Sequence, residues 1–243
     1  MVSESSQSEQ RRVPHGGWWI GVGLGVLALP VVFLLDQALA AILRSHTLPW
    51  LVGILQYATW LGYGLVDIVL PVAVGAVAWG RGDRDGVRRG LLGGSAVATA
   101  GLLDQVLKNL LCRARPSAVD AGAFFKEFPC MPASYALASF PSGHATTAFA
   151  LAAVLSLWYP RWTAAWLGLA AVVGWSRIAL GSHFPSDVLA GAIVGVAVIL
   201  AFFRWVPGAR KYKMKNRPAC AAGAAGRPAC AAGAADRQPR TDQ

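Results

Sequence analysis

Residues 176–206 read SRIALGSHFPSDVLAGAIVGVAVILAFFRWV, and the second half of that stretch decides the fold. From Val188 the chain carries no charge until Arg204, a run close to the ~20 apolar residues that a helix needs to cross the hydrocarbon of a bilayer. The first half has a different character. Ser176, Arg177, His183 and Asp187 crowd polar chemistry into the approach to that run. A helix starting there exposes unpaired amides and the positive end of its dipole.

Working outward, the same pairing of a polar cluster with an apolar run recurs. Pro141-Ser142-Gly143-His144 opens an apolar run over 144–158, and a third run over 91–111 ends on Lys108, followed by Arg115-Pro116. Further runs at 18–35, 62–79 and 162–180 bring the count to six, several of them close to the lower length limit of a spanning helix. Trp18, Trp19, Trp79, Trp158, Trp162 and Trp205 stand at run ends, where indole rings favour the headgroup boundary. The expected architecture is an all-α, polytopic six-helix bundle spanning residues 18–206. The segment 37–61 is apolar only in patches and is broken by Arg44, His46 and Pro49, so it reads as an interfacial helix rather than a seventh crossing.

The composition agrees, with 55% hydrophobic and 14% charged residues, which is that of an integral membrane protein. A net charge of +10 raises the question of nucleic acid, but nine of the 22 basic residues lie from Arg204 onward and four more between Arg81 and Arg89. Those are membrane flanks facing anionic headgroups, not one basic face, and no nucleic-acid partner is expected. The same arginines set orientation, because cytoplasmic loops carry the excess of Lys and Arg. Both termini then face the cytoplasm of a cell-membrane protein, and the loops 112–141 and 181–186 emerge on the far side. All three polar clusters thus meet on one outer face.

Residues 1–17 read as a disordered cytoplasmic lead-in, and 207–243 as a basic, low-complexity cytoplasmic tail carrying an imperfect repeat of Arg-Pro-Ala-Cys-Ala-Ala-Gly-Ala-Ala. Ala38-Leu39-Ala40 imitates a signal-peptidase site, but the apolar stretch before it is long and holds Pro30 and Asp36, so no cleavage is expected. The four cysteines include no C-x-x-C pair, which leaves metal binding without sequence support.

The polar clusters have a chemistry in common. Lys108, Arg115 and Arg177 can surround a phosphate with positive charge, while Ser142, Gly143 and His144 offer a capped helix start whose amides suit anion oxygens. Asp104, one turn before Lys108, forms an ion pair that makes two costly intramembrane charges tolerable, with Lys108 shared between it and a phosphate. Ser176 is an accessory donor. Arg113 is expected to be a headgroup contact at best, Asp67 has no evident partner, and Gly90, Gly93, Gly94 and Gly101 are expected to let helices pack closely.

In these clusters the chain resembles the type 2 phosphatidic acid phosphatase superfamily. All eleven defined positions of that three-part signature, from Lys108 to Asp187, are present in order. The resemblance implies a lipid phosphatase without metal or cofactor, working in two steps. His183 attacks phosphorus, Asp187 orients its ring, His144 protonates the leaving oxygen, and water then releases phosphate from the phosphohistidine. It also implies a substrate among undecaprenyl pyrophosphate, phosphatidylglycerol phosphate, phosphatidic acid and the phosphates of lipid A. The aromatic loop 117–140, with Phe124, Phe125, Phe128, Tyr135, Lys126 and Glu127, would set headgroup choice. A phosphotransferase to a second lipid would use the same residues, and a non-catalytic membrane protein would need them to be vestigial. Two readings stand for Cys112 and Cys130, which share the one long loop on the oxidising side: a disulfide closing that loop over the site, or a buried Cys112 that never meets Cys130. Cys220 and Cys230, in the tail, are expected to stay reduced.

Overall fold

The computed structural model describes residues 15–118, 120–125, 129–131, 134–207 and 209. The lead-in up to residue 14 and nearly all of the tail, with Cys220 and Cys230, lie outside the described residues. Among the described residues the regular structure is helical throughout: α1 (His15–Leu34), α2 (Asp36–Ser45), α3 (Pro49–Ala58), α4 (Gly64–Gly80), α5 (Arg84–Leu111), α6 (Gly143–Trp158), α7 (Thr163–Ala179) and α8 (Pro185–Trp205). Each of the six apolar runs falls on one helix. Among the described residues, three helices are long and apolar enough by themselves to cross a membrane, over residues 17–34, 84–111 and 185–205. Their outward faces carry Ile20, Leu24, Leu27, Val31, Leu102 and Val106 in the open, an arrangement that suits lipid rather than water. The protein is a multi-pass membrane protein.

The segment 37–61 gives two short helices rather than one. α2 and α3 bend by 113° across residues 46–48, where Pro49 sits at the first position of α3; ten residues rise only about 15 Å, too little to cross alone.

The core lies between α5, α6 and α8. Ala96, Val97 and Ala100 meet Ala150, Val154 and Leu157, and these meet Val196, Ile199 and Phe203. Apolar burial gives helices little reason to associate within lipid, so close backbone approach between small residues has to supply the contact. A Cβ at Gly90 would lie 2.6 Å from the Gly75 backbone, and one at Gly94 2.6 Å from Val72, so α4 rests directly on α5. Gly93 makes room for Trp158, whose ring would be 2.7 Å from a Cβ there. Trp158 is therefore a core residue and not the headgroup anchor that its place at a run end predicts. Gly101 has ordinary clearance, 3.6 Å to Thr147.

α5 begins at a side-chain cap, Asp83 accepting from Gly86 N at 2.9 Å, and ends at Cys112, a non-glycine residue in the left-handed region (φ 46°). Such a residue closes a helix by turning the chain aside. Here the turn starts the loop that carries Arg113 and Arg115. A disulfide joins Cys112 to Cys130 with Cα atoms 6.0 Å apart, which decides between the two readings of those cysteines.

Candidate active site

Four helices and the loop after α5 bring the clusters together. α5 contributes Lys108 near its C-terminus, the following loop contributes Arg115, α6 begins at Gly143-His144, and α7 ends with Ser176 and Arg177 before a short turn delivers His183 to the start of α8. Gly143 has a specific reason to be glycine: a Cβ there would lie 2.9 Å from Lys108 Nζ and 3.0 Å from Asp104 Oδ2. Asp104 pairs with Lys108 and accepts from Thr146 Oγ1 at 2.9 Å, so the ion pair is braced from α6. Arg177, His183, Lys108 and Arg115 all lie close enough to act on the charge of His144. Arg115 lies over the Tyr135 ring at 3.9 Å and donates to Ser182 O and Ala138 O, while Arg177 reaches Thr59 Oγ1 at 2.6 Å.

Three buried donors in this cluster have no partner: Ser142 Oγ, Arg115 Nε and Arg177 Nε. Leaving buried polar atoms unpaired costs on the order of 1–3 kcal/mol each, and each of the three is a donor of the kind an anion accepts from.

His183 is 2% exposed, and its tautomer follows from its neighbour. Nδ1 lies 2.8 Å from Ser139 O. A carbonyl oxygen can only accept, so Nδ1 carries the proton and Nε2 keeps the lone pair. Asp187 Oδ2 stands 3.6 Å from the same Nδ1, so it acts on the ring mainly as a charge while the Ser139 carbonyl fixes its orientation. Burial is the largest influence on His183 and lowers its pKa to about 4, which leaves the ring neutral at ordinary pH.

Several expectations need correcting. Ser142 is the residue before α6, but its hydroxyl makes no capping bond; its backbone N donates instead to Asp187 O at 2.9 Å, hanging α6 on the first turn of α8. Ser176 donates its only hydroxyl proton to Val173 O at 2.6 Å and has none left for a phosphate. The start of α8 is held by two carboxylates. Asp187 Oδ2 accepts from Phe184 N at 2.8 Å, and Asp36 accepts from Ser186 N at 2.8 Å. Arg113, expected at the headgroups, is buried and donates to Asp187 Oδ1 at 2.5 Å and to Asp36 Oδ2 at 2.7 Å. Asp67 is fully buried, with the Thr147 side chain as its polar neighbour. In the loop, Phe124 packs on Phe33 and Phe140, Phe125 is exposed, and Lys126, Glu127 and Phe128 lie outside the described residues.

Comparison with known proteins places this arrangement. Over 102 residues the chain is 40% identical to a lipid A 1-phosphatase of Rhizobium etli, covering 42% of this chain and 43% of that protein. Against a putative undecaprenyl-diphosphatase, YbjG, of Escherichia coli it is 30% identical over 150 residues, covering 61% of this chain and 70% of the relative. The chain thus spans less than half the length of the lipid A 1-phosphatase that it matches. Its fold is similar to the crystal structure of a transmembrane PAP2 type phosphatidylglycerolphosphate phosphatase from Bacillus subtilis, with a TM-score of 0.54 and 22% identity over 83% of this chain and 98% of that one. The PAP2 superfamily model matches residues 90–211, a segment that holds every residue of the cluster from Lys108 to Asp187, and the chain belongs to that superfamily.

Proposed function

We propose that the protein is a metal-independent membrane phosphatase that hydrolyses a lipid phosphate or pyrophosphate through a phosphohistidine on His183. The observation that carries this reading is the set of unpartnered buried donors, Ser142 Oγ, Arg115 Nε and Arg177 Nε, gathered with Lys108 around two histidines. His183 Nε2 attacks phosphorus, the bond to the leaving oxygen breaks, and His144 passes its proton to that oxygen. Water then attacks the phosphohistidine, giving its proton to the neutral His144 and releasing phosphate. Lys108, Arg115 and Arg177 stabilise the charge on the equatorial oxygens, which is where most phosphoryl-transfer catalysis lies. Asp187 stabilises the cationic phosphoimidazole.

The substrate class follows from depth: the site lies at the ends of apolar helices, so a phosphate at headgroup level with its chains in lipid reaches it without leaving the bilayer. Both closely matching relatives are named for lipid phosphates, a lipid A phosphate and undecaprenyl diphosphate. Phosphate release by the purified chain in detergent should therefore appear with at least one of undecaprenyl pyrophosphate, phosphatidic acid, phosphatidylglycerol phosphate and lipid A, and persist in a chelator. No release from any of them, or activity lost to chelator and restored by a divalent cation, would defeat the reading.

The proposed topology has six crossings, by α1, α4, α5, α6, α7 and α8, with residues 18–206 as the phosphatase domain and both termini in the cytoplasm. Arg81 between α4 and α5, with Arg84, Arg88 and Arg89 at the start of α5, supports it. A cysteine placed at Asp85 should resist membrane-impermeant labelling in intact cells, and a reporter after Gln243 should behave as internal. The opposite result in either would place the site on the cytoplasmic face.

A further inference from the structure

Asp187 is the group expected to orient the nucleophile, yet its carboxylate is engaged elsewhere. Oδ1 accepts from Arg113 Nη1 at 2.5 Å, while Oδ2 accepts from Ser139 Oγ at 2.6 Å and Phe184 N at 2.8 Å. The ring proton of His183 goes to Ser139 O. What Asp187 presents to His183 across 3.6 Å is therefore chiefly its charge, and that charge is shared. Arg113 is 2% exposed, and its guanidinium lies among Phe33, Phe124 and Phe184, with centroids 4.7, 5.0 and 4.5 Å away. On its far side is Asp36, which also accepts from Ser186 Oγ at 2.5 Å and Ser186 N at 2.8 Å. Asp36 begins α2, well outside the segment matched by the superfamily model. A buried carboxylate held in that position from 150 residues away is costly unless fully paired, and this one is.

We propose that Arg113 and Asp36 are positioning residues that set how much negative charge Asp187 shows to His183, and with it the proton affinity of the nucleophile. The inference rests on the reading of His183 as the nucleophile. Asp187 alone would stabilise the imidazolium and favour a ring already protonated, which cannot attack phosphorus. Burial already favours the neutral ring; Arg113 offsets the pull of Asp187 in the same direction, while Asp36 limits the offset, so that Asp187 can still stabilise the cation that forms on phosphorylation. The network thus balances a neutral resting nucleophile against a cationic intermediate. Other titratable groups bear on His183: Lys108, itself paired with Asp104, from α5, Arg115 from the loop, and His144 from α6, on which Arg177 from the end of α7 also acts. These stay fixed when only Arg113 or Asp36 is changed, so a difference between variants reports the network.

The test is direct titration of His183 in the full chain in detergent, by imidazole resonances of histidine-labelled protein assigned through His183→Ala. The parent should titrate at about 4. Arg113→Gln removes the offsetting cation and should raise the proton affinity by roughly tenfold. Asp36→Asn strengthens the offset and should lower the affinity. Arg113→Lys keeps the charge and should hold the parent midpoint while losing the two-sided fork. The acid limb of kcat/KM should follow the same order, moving to higher pH in Arg113→Gln and to lower pH in Asp36→Asn. An unchanged midpoint in Arg113→Gln overturns the proposal; if that variant does not fold, an Asp36→Asn midpoint at or above the parent's overturns it equally. Because the titration needs no turnover, it separates the two ideas. Normal activity in His183→Ala removes the phosphohistidine reading whatever the titration gives, whereas an inactive His183→Ala beside unshifted midpoints removes only the role of the network.

Discussion

His183→Ala is expected to leave no measurable phosphate release and no covalent phosphoryl label. The reaction places its new bond on Nε2, the one ring nitrogen left with a lone pair once Nδ1 donates to Ser139 O. Alanine supplies no nucleophile, and Asp187, pinned by Arg113, Ser139 and Phe184, is not free to replace it. His144→Ala should behave differently. Loss of a general acid typically costs 10²–10⁴-fold, so turnover of a lipid phosphate should fall by about that factor, while a substrate with a good leaving group should still phosphorylate His183 and trap the label. Single-turnover labelling of both variants beside the parent distinguishes the roles. Full activity in purified His183→Ala, or equal loss in His144→Ala for good and poor leaving groups, would remove the assignment of nucleophile and acid.

The residues that carry those roles were legible because each sits in a short cluster whose chemistry is local. Lys108, Arg115, Ser142, Gly143, His144, Arg177 and His183 all reach one cluster, and the apolar runs at their flanks became helices, with α5 starting seven residues before its run, at Arg84, and the others within three residues of theirs. What was not legible depends on contacts between helices distant in sequence. Arg113 stands two residues before Arg115 and looks like an interfacial anchor, because its partners lie 74 and 77 residues away. Asp36 registers in the sequence only as a charge spoiling an apolar run. Ser139 is invisible for a different reason: its carbonyl orients His183, and a backbone group leaves no trace in residue type. Ser176 shows the converse, a polar residue of the signature whose proton is spent on the turn behind it.

The same limit hid the contact that holds the site together, and it gives the second large effect. Gly90, Gly93 and Gly94 were readable as packing glycines in a charged helix, but Gly191 and Gly195 sit within the most apolar run of the chain and draw no notice there. In the structure they press α8 onto the start of α6. A Cβ at Gly195 would lie 2.3 Å from Thr146 O and 3.0 Å from Ala150 N, and one at Gly191 2.6 Å from Ser142 O. These obstacles are helix backbone, which cannot swing aside as a flexible side chain can. Gly195→Val must therefore push α8 away from α6, and Ser142 N, bonded to Asp187 O at 2.9 Å, would lose its partner as the helices part. Overpacking of this kind costs about 1–3 kcal/mol, and a displacement of about 1 Å between His144 on α6 and His183 at the head of α8 can cost on the order of 10²-fold in rate. Gly101→Ala, with 3.6 Å of clearance, is the control and should be as stable and active as the parent. Thermal unfolding and phosphate release in detergent, measured for both, decide the matter. If Gly195→Val matches Gly101→Ala in both, backbone contact between α6 and α8 does not set the geometry of the two histidines.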